Sequence, residues 1–297
     1  MTKEDISGWF KELQGNICEA LENTDGKGRF ISDLWERPGG GGGDSRVLEA
    51  GNIIEKGGVN FSAVHGETPD KILKSFQLAQ ADFFATGVSI VIHPSNPFVP
   101  IIHMNVRYFE MSNGVKWFGG GIDLTPHYVD ESDARYFHTE LKKVCDNHYP
   151  SYYPEFKEWA DNYFFIKHRN ETRGIGGIFF DRLAASEQFS LEDRFNFVKD
   201  IGQLFAPVYT HLMKKNFVKA YTEKEKIWQM IRRSRYVEFN LIYDSGTKFG
   251  LETSGRTESI LMSMPPQASW FYNADAKAGQ EEKKTLSLLK KGISWVK

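Results

Sequence analysis

Residues 87–126, GVSIVIHPSNPFVPIIHMNVRYFEMSNGVKWFGGGIDLTP, contain three apolar segments separated by two short connections. The segments cover 87–94, 101–110 and 114–126 and are rich in the β-branched and aromatic residues typical of strands. The second connection contains Ser-Asn-Gly, which is typical of a hairpin, and the first is also short enough for one. We therefore expect a three-stranded antiparallel meander.

The middle strand of this meander carries a polar side chain at every second position. His103, Asn105 and Arg107 share one face, because successive side chains of a strand point to opposite faces. Val106 and the other apolar residues face the opposite way. Burying Arg107 unpaired would be very costly, so we expect it to meet a carboxylate of the protein or of a ligand.

The two flanking strands extend the same polar surface. The same alternation places Ser89 and His93 on one face of the first strand, and Gly119, Gly121 and Asp123 on one face of the third. Glycine weakens a strand, and one reason to find it there is the close approach of a ligand. We therefore expect a pocket for a flat, bulky molecule above these glycines. For any single polar residue, the alternative of an ordinary hydrogen-bonded structural group stays open.

The rest of the chain alternates between helical and strand patterns. Helices are predicted at 4–24, from Thr68 through TPDKILKSFQLAQADFFATG, and at 130–148, 152–167, 190–218 and 281–291. Further strands are predicted at 174–181, 235–244, 248–253 and 258–266. These elements predict one α+β domain over 1–297, in which helices cover a mostly antiparallel sheet of about six or seven strands.

A run of five glycines at 39–43 lies in a segment, 37–51, that has little periodicity. A glycine-rich backbone can cradle a phosphate, but the run lacks both the GK[ST] ending and the GxGxxG pattern of nucleotide sites. We interpret 37–51 as a loop. It is either a flexible connector or a mobile lid in which Ser45 and Arg46 contact an anion.

Composition and charge exclude several classes of protein. The 297 residues carry a net charge of −2, which provides no general basic field for nucleic acid. No apolar run approaches the roughly 20 residues of a membrane-spanning helix, and the first residues do not resemble a signal peptide. Cys18 and Cys145 form no CxxC pair, which argues against a disulfide framework or a structural zinc site. We expect a cytoplasmic protein without a nucleic-acid partner.

Histidines raise the alternative of a metal site. Four of the eight histidines come from different predicted elements, namely His93, His103, His138 and His168. They show no HExxH or other tight ligand spacing, so they are weak evidence for a metal. A Ser-His-Asp hydrolase has still less support, because the chain has no GxSxG motif. Basic residues spread over several elements suit a ligand with separate carboxylates better than a nucleic-acid backbone.

Five blocks of sequence together resemble the oxygen-dependent coproporphyrinogen III oxidases. They are GGGGGDSRVLEAGNIIEKGGVNFS, HPSNPFVPIIHMNVRYF, WFGGGIDLTPHY, YPEFKEWADNYFFIKHRNETRGIGGIFFD and RYVEFNLIYDSGTKFGLETSGRTESILMSMPP. The resemblance implies an oxidoreductase acting on CH–CH groups in haem biosynthesis. Such an enzyme converts coproporphyrinogen III to protoporphyrinogen IX, oxidising two propionates to vinyls with O2 and releasing CO2 and H2O2. It also implies a homodimer with a large, flat antiparallel sheet between helical layers.

The resemblance also implies roles for individual residues. His103 matches the family's proton donor, and the matching substrate contacts are Ser89, Asn105, Val106, Arg107, Ser254, Gly255 and Arg256. Asp123 and Asp244 are expected to be catalytic and to hold pyrrole N–H groups, because carboxylates accept hydrogen bonds and stabilise developing positive charge. The electron-rich substrate can give an electron pair to O2, so no redox cofactor is expected.

Two further points follow from the resemblance. In some bacterial members the histidines matching His93, His103, His138 and His168 are described as ligands of a divalent metal, whereas elsewhere a metal is considered unnecessary. The chain also departs from the family's usual YDRGT and GGR, with Ser245 and Ser254 at the variable positions. Ser245 removes one cation near the expected site. A non-catalytic tetrapyrrole-binding protein and a metal-dependent hydrolase stay open as alternatives.

Overall fold

The structure is a computed structural model that describes residues 1–68, 73, 80–252 and 255–296. In chain order, its first elements are α1 (Lys3–Asp25), β1 (Ile31–Glu36), β2 (Gly41–Glu49), β3 (Ile54–Glu67), β4 (Asp82–Pro94), β5 (Ile101–Met111) and β6 (Lys116–Thr125). The next are α2 (Glu131–His148), α3 (Tyr152–Tyr163), β7 (Phe165–Ile166), β8 (Glu171–Thr172) and β9 (Gly177–Leu183). The last are α4 (Leu191–Asn216), α5 (Glu223–Ile242), α6 (Ser245–Glu252), α7 (Thr257–Leu261), a 3-10 turn at Ala274–Lys277 and α8 (Gln280–Leu288).

Seven of the described strands form one antiparallel sheet, in the order β1-β2-β3-β4-β5-β6-β9. The predicted meander is β4-β5-β6, in which Asn105 pairs with Ser89 on one side and with Gly121 on the other. Strands β7 and β8 pair with each other in a separate ribbon. The predicted fold class, α+β with a large antiparallel sheet, is confirmed.

One face of the sheet forms the apolar core. Met104 and Val106 of β5 are fully buried there, in a cluster that includes Phe10 of α1 and Phe205 of α4. Full burial of one such side chain contributes roughly 1.5–3 kcal/mol. A shift of the strand by one residue would expose this whole set, so the buried face determines the register.

The opposite face, which we call the polar face, is covered at its ends. Tyr236 of α5 packs on Val91 and Ile101, and Met262, which follows α7, lies over Gly58. Arg107 keeps 40% of its side chain exposed, so solvent reaches the polar face between these contacts. Helices therefore cover both faces, as predicted.

The glycine-rich segment belongs to the sheet. Strand β2 lies within the predicted loop 37–51 and pairs with both β1 and β3. A Cβ on Gly42 would lie 2.2 Å from the Trp35 carbonyl oxygen, and one on Gly43 would lie 2.3 Å from that of Phe61. The prediction of a flexible or lid-forming loop is wrong, because these glycines allow close strand pairing rather than mobility.

Three predicted strands are not strands in the described residues. Of the predicted residues, 235–242 lie in α5, 248–252 in α6 and 258–261 in α7. Helix α5 begins with a capping box formed by Thr222 and Glu225, and a short apolar run within it cannot be distinguished from a strand by periodicity alone. Most of the helix predicted from Thr68 lies outside the described residues, and its last residues, from Asp82, belong to β4.

Candidate active site

The sheet register brings polar residues from five strands into one row. Asp33 pairs with Ser45, Ser45 with Asn60, Asn60 with Ser89, and Ser89 with Asn105. Directly paired residues of antiparallel strands point to the same face. The Ser45 hydroxyl donates to Asn60 Oδ1 at 2.9 Å. The row therefore crosses the polar face from β1 to β5, and Ser89 and Asn105 lie on it as predicted.

His103 and Asp123 form a hydrogen-bonded pair beside this row. His103 Nδ1 lies 2.8 Å from Asp123 Oδ1. Arg173 Nη2 donates to both oxygens of Asp123, at 2.7 and 2.8 Å. Asp123 and Arg173 are almost fully buried, and the guanidinium lies 4.3 Å from the ring centre of Phe164 and 4.8 Å from that of Tyr236. The buried carboxylate is thus paired on one side with a cation and on the other with an imidazole.

This arrangement favours the ionised form of Asp123. Burial would raise the pKa of the Asp123 carboxyl, but the Arg173 guanidinium and the hydrogen bond from His103 outweigh it and lower that pKa below its usual value. An ionised Asp123 accepts the hydrogen bond, so His103 carries its proton on Nδ1. His103 Nε2 makes no hydrogen bond to the described residues, and the side chain is 20% exposed. His103 is therefore suited to proton transfer at Nε2.

Arg107 meets a carboxylate, as predicted. Its Nη2 donates to Asp181 Oδ1 at 2.9 Å, and its Nη1 donates to Asn105 Oδ1 at 3.1 Å. A guanidinium has five N–H groups. Because Arg107 is 40% exposed, N–H groups remain for an anionic ligand.

The space above Gly119 is filled by this ion pair. A Cβ on Gly119 would lie 2.3 Å from Asp181 Oδ1 and 3.0 Å from Arg107 Nε. We expected the glycines of β6 to leave a floor for a flat ligand. At Gly119 that expectation is wrong, because the missing side chain admits Arg107 and Asp181 instead.

Asp244 lies at the junction of α5 and α6. Its Oδ1 accepts a hydrogen bond from the Tyr163 hydroxyl at 2.8 Å, and its Oδ2 accepts one from the Thr247 amide at 2.7 Å. The second bond satisfies a free amide in the first turn of α6. Tyr163 in turn stacks on Phe179, with ring centres 4.2 Å apart. Through Tyr163, Asp244 is therefore held near β9, at one side of the polar face.

Arg256 reaches the opposite side of the polar face. It forms an ion pair with Asp33 of β1 and donates to the Ser259 hydroxyl at 3.2 Å. The Ser259 hydroxyl also lies 2.8 Å from that of Ser45, in the polar row. The segment with α6 and α7 thus brings Arg256 to the β1–β2 side of the same surface as Arg107.

Two predicted substrate contacts have other positions, and a third is not described by the structure. The Val106 side chain is fully buried in the apolar core, so it cannot contact a ligand on the polar face. The Gly255 amide donates to the Gly250 carbonyl oxygen at 2.8 Å, within its own turn. Ser254 lies outside the described residues.

The four histidines predicted as metal ligands do not converge. His93 Nε2 contacts the Ser263 carbonyl oxygen at 2.8 Å, and His138 Nε2 contacts that of Ile175 at 3.0 Å. His168 Nε2 lies 2.7 Å from a Glu238 carboxylate oxygen, and His103 pairs with Asp123. Within the described ranges, no group of three His, Cys, Asp or Glu residues could hold a metal ion. The predicted four-histidine site does not form among the described residues, and both ring nitrogens of His138 and of His168 already have hydrogen-bond partners.

Sequence reasoning missed two residues of the site. In the sequence, Arg173 is one of several basic residues that follow the helix predicted at 152–167. In the structure it is 2% exposed and bonds Asp123 and the Asn240 amide oxygen. Asp181 received no role. Phe179 pairs with Gly121 on the polar face. Asp181 is two residues further along the strand, so alternation alone predicts that it lies on the same face.

Comparison with known proteins identifies a family for this arrangement. A family model described as coproporphyrinogen III oxidase matches residues 5–295. The chain belongs to the coproporphyrinogen III oxidase family. An oxygen-dependent coproporphyrinogen-III oxidase of Drosophila melanogaster is 50% identical over 299 residues, covering 96% of this chain and 76% of the relative. One from Prochlorococcus marinus (strain MIT 9312) is 46% identical over 319 residues, covering 99% and 93%.

The family predicted from the sequence is therefore confirmed. The polar face of this member of the coproporphyrinogen III oxidase family contains His103, Asn105, Arg107 and Ser89 on adjacent strands. In the described parts of the chain, no helix is both long and apolar enough to span a membrane.

Proposed function

We propose that this chain is an oxygen-dependent coproporphyrinogen III oxidase. In each of two steps, a propionate, O2 and one proton give a vinyl group, CO2 and H2O2. The propionate loses its carboxyl carbon as CO2, and a hydrogen with two electrons passes to O2. One observation carries the proposal in a chain of this family. His103, paired with Asp123, and Arg107 lie on the same accessible face of one strand.

Arg107 and Arg256 would bind carboxylates of the tetrapyrrole. The two cations lie toward different ends of the polar face: Arg107 over β6, and Arg256 against β1. Substrate propionates are spread around a large ring, so separated cations suit them. Each charge-assisted hydrogen bond of this kind is worth about 1.5–3 kcal/mol. Ser89 and Asn105 lie between the arginines and offer polar contacts on the floor.

His103 would move the proton that each step consumes. Asp123 stabilises the imidazolium form when Nε2 gains a proton, and holds the ring in one orientation. Asp123 itself is 1% exposed, so we assign it to His103 rather than to a pyrrole N–H. Asp244 is partly exposed, so it is the better candidate for accepting a hydrogen bond from a pyrrole.

The proposal extends to cofactors and assembly. We propose that O2 accepts the electrons directly from the bound substrate, without a resident redox cofactor. We assign no step to a metal, because the described residues contain no group of three His, Cys, Asp or Glu side chains that could hold one. We further propose a cytoplasmic homodimer. In support, Cys18 and Cys145 are buried free thiols whose burial raises the pKa to about 12, and exposed Phe271 and Tyr272 offer apolar surface for a second copy.

Aerobic turnover of coproporphyrinogen III tests the function. The product, after oxidation, is measured as fluorescent protoporphyrin for the wild type and for His103→Asn. His211→Asn is the matched control, because His211 is exposed on α4. We expect a large loss for His103→Asn and none for the control. Tight binding without CO2 release would favour a tetrapyrrole-binding protein, and equal activity of all three proteins would exclude His103 as the proton donor.

A further inference from the structure

Strand β9 contains an irregularity directly opposite Gly119. The pairing between β6 and β9 shifts by one residue at this point. Two residues of β9, Asp181 and Arg182, therefore lie opposite one residue of β6, Gly119. Arg182 has a φ of 53°, in the left-handed region that residues other than glycine adopt at a cost. Bulges of this kind redirect side chains and are common beside active sites. The bulge brings Asp181 over Gly119 and next to Arg107.

Stability alone does not account for this arrangement. The Asp181 side chain is 22% exposed and that of Arg107 is 40% exposed. Solvent screens an ion pair at this exposure, so the pair adds little to the free energy of folding. The bulge and the strained residue Arg182 oppose folding. The structure therefore contains a costly local backbone that places Asp181 over Gly119 and next to the Arg107 guanidinium.

Two acceptors hold that guanidinium from different sides. Asn105, on the same strand, accepts from Arg107 Nη1, and Asp181, two strands away, accepts from Nη2. Gly119 lies beneath and has no side chain to push the pair apart. A guanidinium fixed in this way loses less rotamer entropy when it binds a carboxylate than a freely rotating one.

We propose that Asp181 is a positioning residue for the substrate, which holds Arg107 across Gly119 so that its free N–H groups meet one propionate of the tetrapyrrole. The inference rests on the proposed function. Asp181 acts through Arg107 and does not touch the reacting atoms. Its loss frees the guanidinium to rotate, so binding weakens although the cation itself is retained.

Steady-state turnover of the full chain with coproporphyrinogen III tests this role. The variants are Asp181→Asn, Arg107→Ala and the double variant, with Asp146→Asn as control, since Asp146 forms an exposed ion pair with Lys142 on α2. Loss of one charge-assisted contact corresponds to about a tenfold effect. We expect Asp181→Asn to raise KM about tenfold with kcat changed less than twofold, and to have no further effect in the Arg107→Ala protein.

An unchanged KM for Asp181→Asn would overturn the inference. So would an equal rise in KM with and without Arg107, because the effect would then be independent of the guanidinium. Thermal unfolding of each variant checks folding, and Asp181→Ser replaces the asparagine variant if that protein does not fold. A wild type without turnover would contradict the proposed function, whereas an active wild type with an unaffected Asp181→Asn contradicts only the role of Asp181.

Discussion

Replacing Arg173 by methionine would leave the Asp123 carboxylate without its cationic partner. Asp123 is 1% exposed and accepts two hydrogen bonds from Arg173. Breaking a buried ion pair by removing one partner typically costs about 3–5 kcal/mol. Methionine is unbranched and apolar and fills much of the space between Phe164 and Tyr236, so a cavity adds little. We expect the free energy of unfolding at pH 7 to fall by about 3–5 kcal/mol.

The dependence on pH separates charge from packing. Because the folded protein lowers the pKa of Asp123, this carboxylate contributes stability above its unfolded pKa, and the contribution is lost as pH falls through the folded pKa. The difference between wild type and Arg173→Met should therefore shrink in acid. Asp123→Asn in the same background removes the unpaired charge and should recover part of the loss.

Urea unfolding of the wild type, Arg173→Met, Asp123→Asn and the double variant, followed by fluorescence at several pH values, measures these energies. A cost of under about 1 kcal/mol for Arg173→Met, or the same cost with and without the Asp123 carboxylate, would contradict this expectation. Either result would mean that Arg173 stabilises the fold through its aromatic contacts alone.

Four other predictions follow from the site and the core. Arg107→Ala should lower kcat/KM in steady-state kinetics by about 10- to 150-fold, equivalent to about 1.5–3 kcal/mol. Arg107→Lys should recover only part of this loss, because lysine lacks the planar guanidinium that binds a carboxylate with two hydrogen bonds. Gly119→Ala should raise KM in the same kinetics, because its Cβ would lie 2.3 Å from Asp181 Oδ1 and push that carboxylate away from Arg107. Burial lowers the pKa of His138 to about 3, so stability should fall as pH decreases from about 6.5 toward 3, and His138→Gln should show a shallower slope in urea unfolding. Turnover should survive treatment with a chelator; activity that vanishes and returns with one divalent ion would contradict this expectation.

Local alternation predicts the central strands well, because each has one apolar and one polar face. The side chains of His103, Asn105 and Arg107 share a face in the structure for the reason seen in the sequence. The same rule failed at 235–244, where an apolar and polar alternation lies on helix α5. There the cap at Thr222 and the charged residues after it outweigh a short apolar run.

The partners of the site residues could not be read from spacing. Arg173 follows Asp123 by 50 positions, and Asp181 follows Arg107 by 74. Sequence alone gives no register between β6 and β9, and the bulge at Arg182 depends on that register. The family resemblance named Arg107 and His103 as functional, but the carboxylates that hold them emerge only from the folded sheet.

Gas and product stoichiometry with coproporphyrinogen III tests the proposed reaction itself. O2 uptake, CO2 release and protoporphyrin formation are measured together for the wild-type chain. We expect two CO2 released and two O2 consumed for each protoporphyrinogen formed. Substrate binding without CO2 release, or CO2 release without O2 uptake, would contradict it.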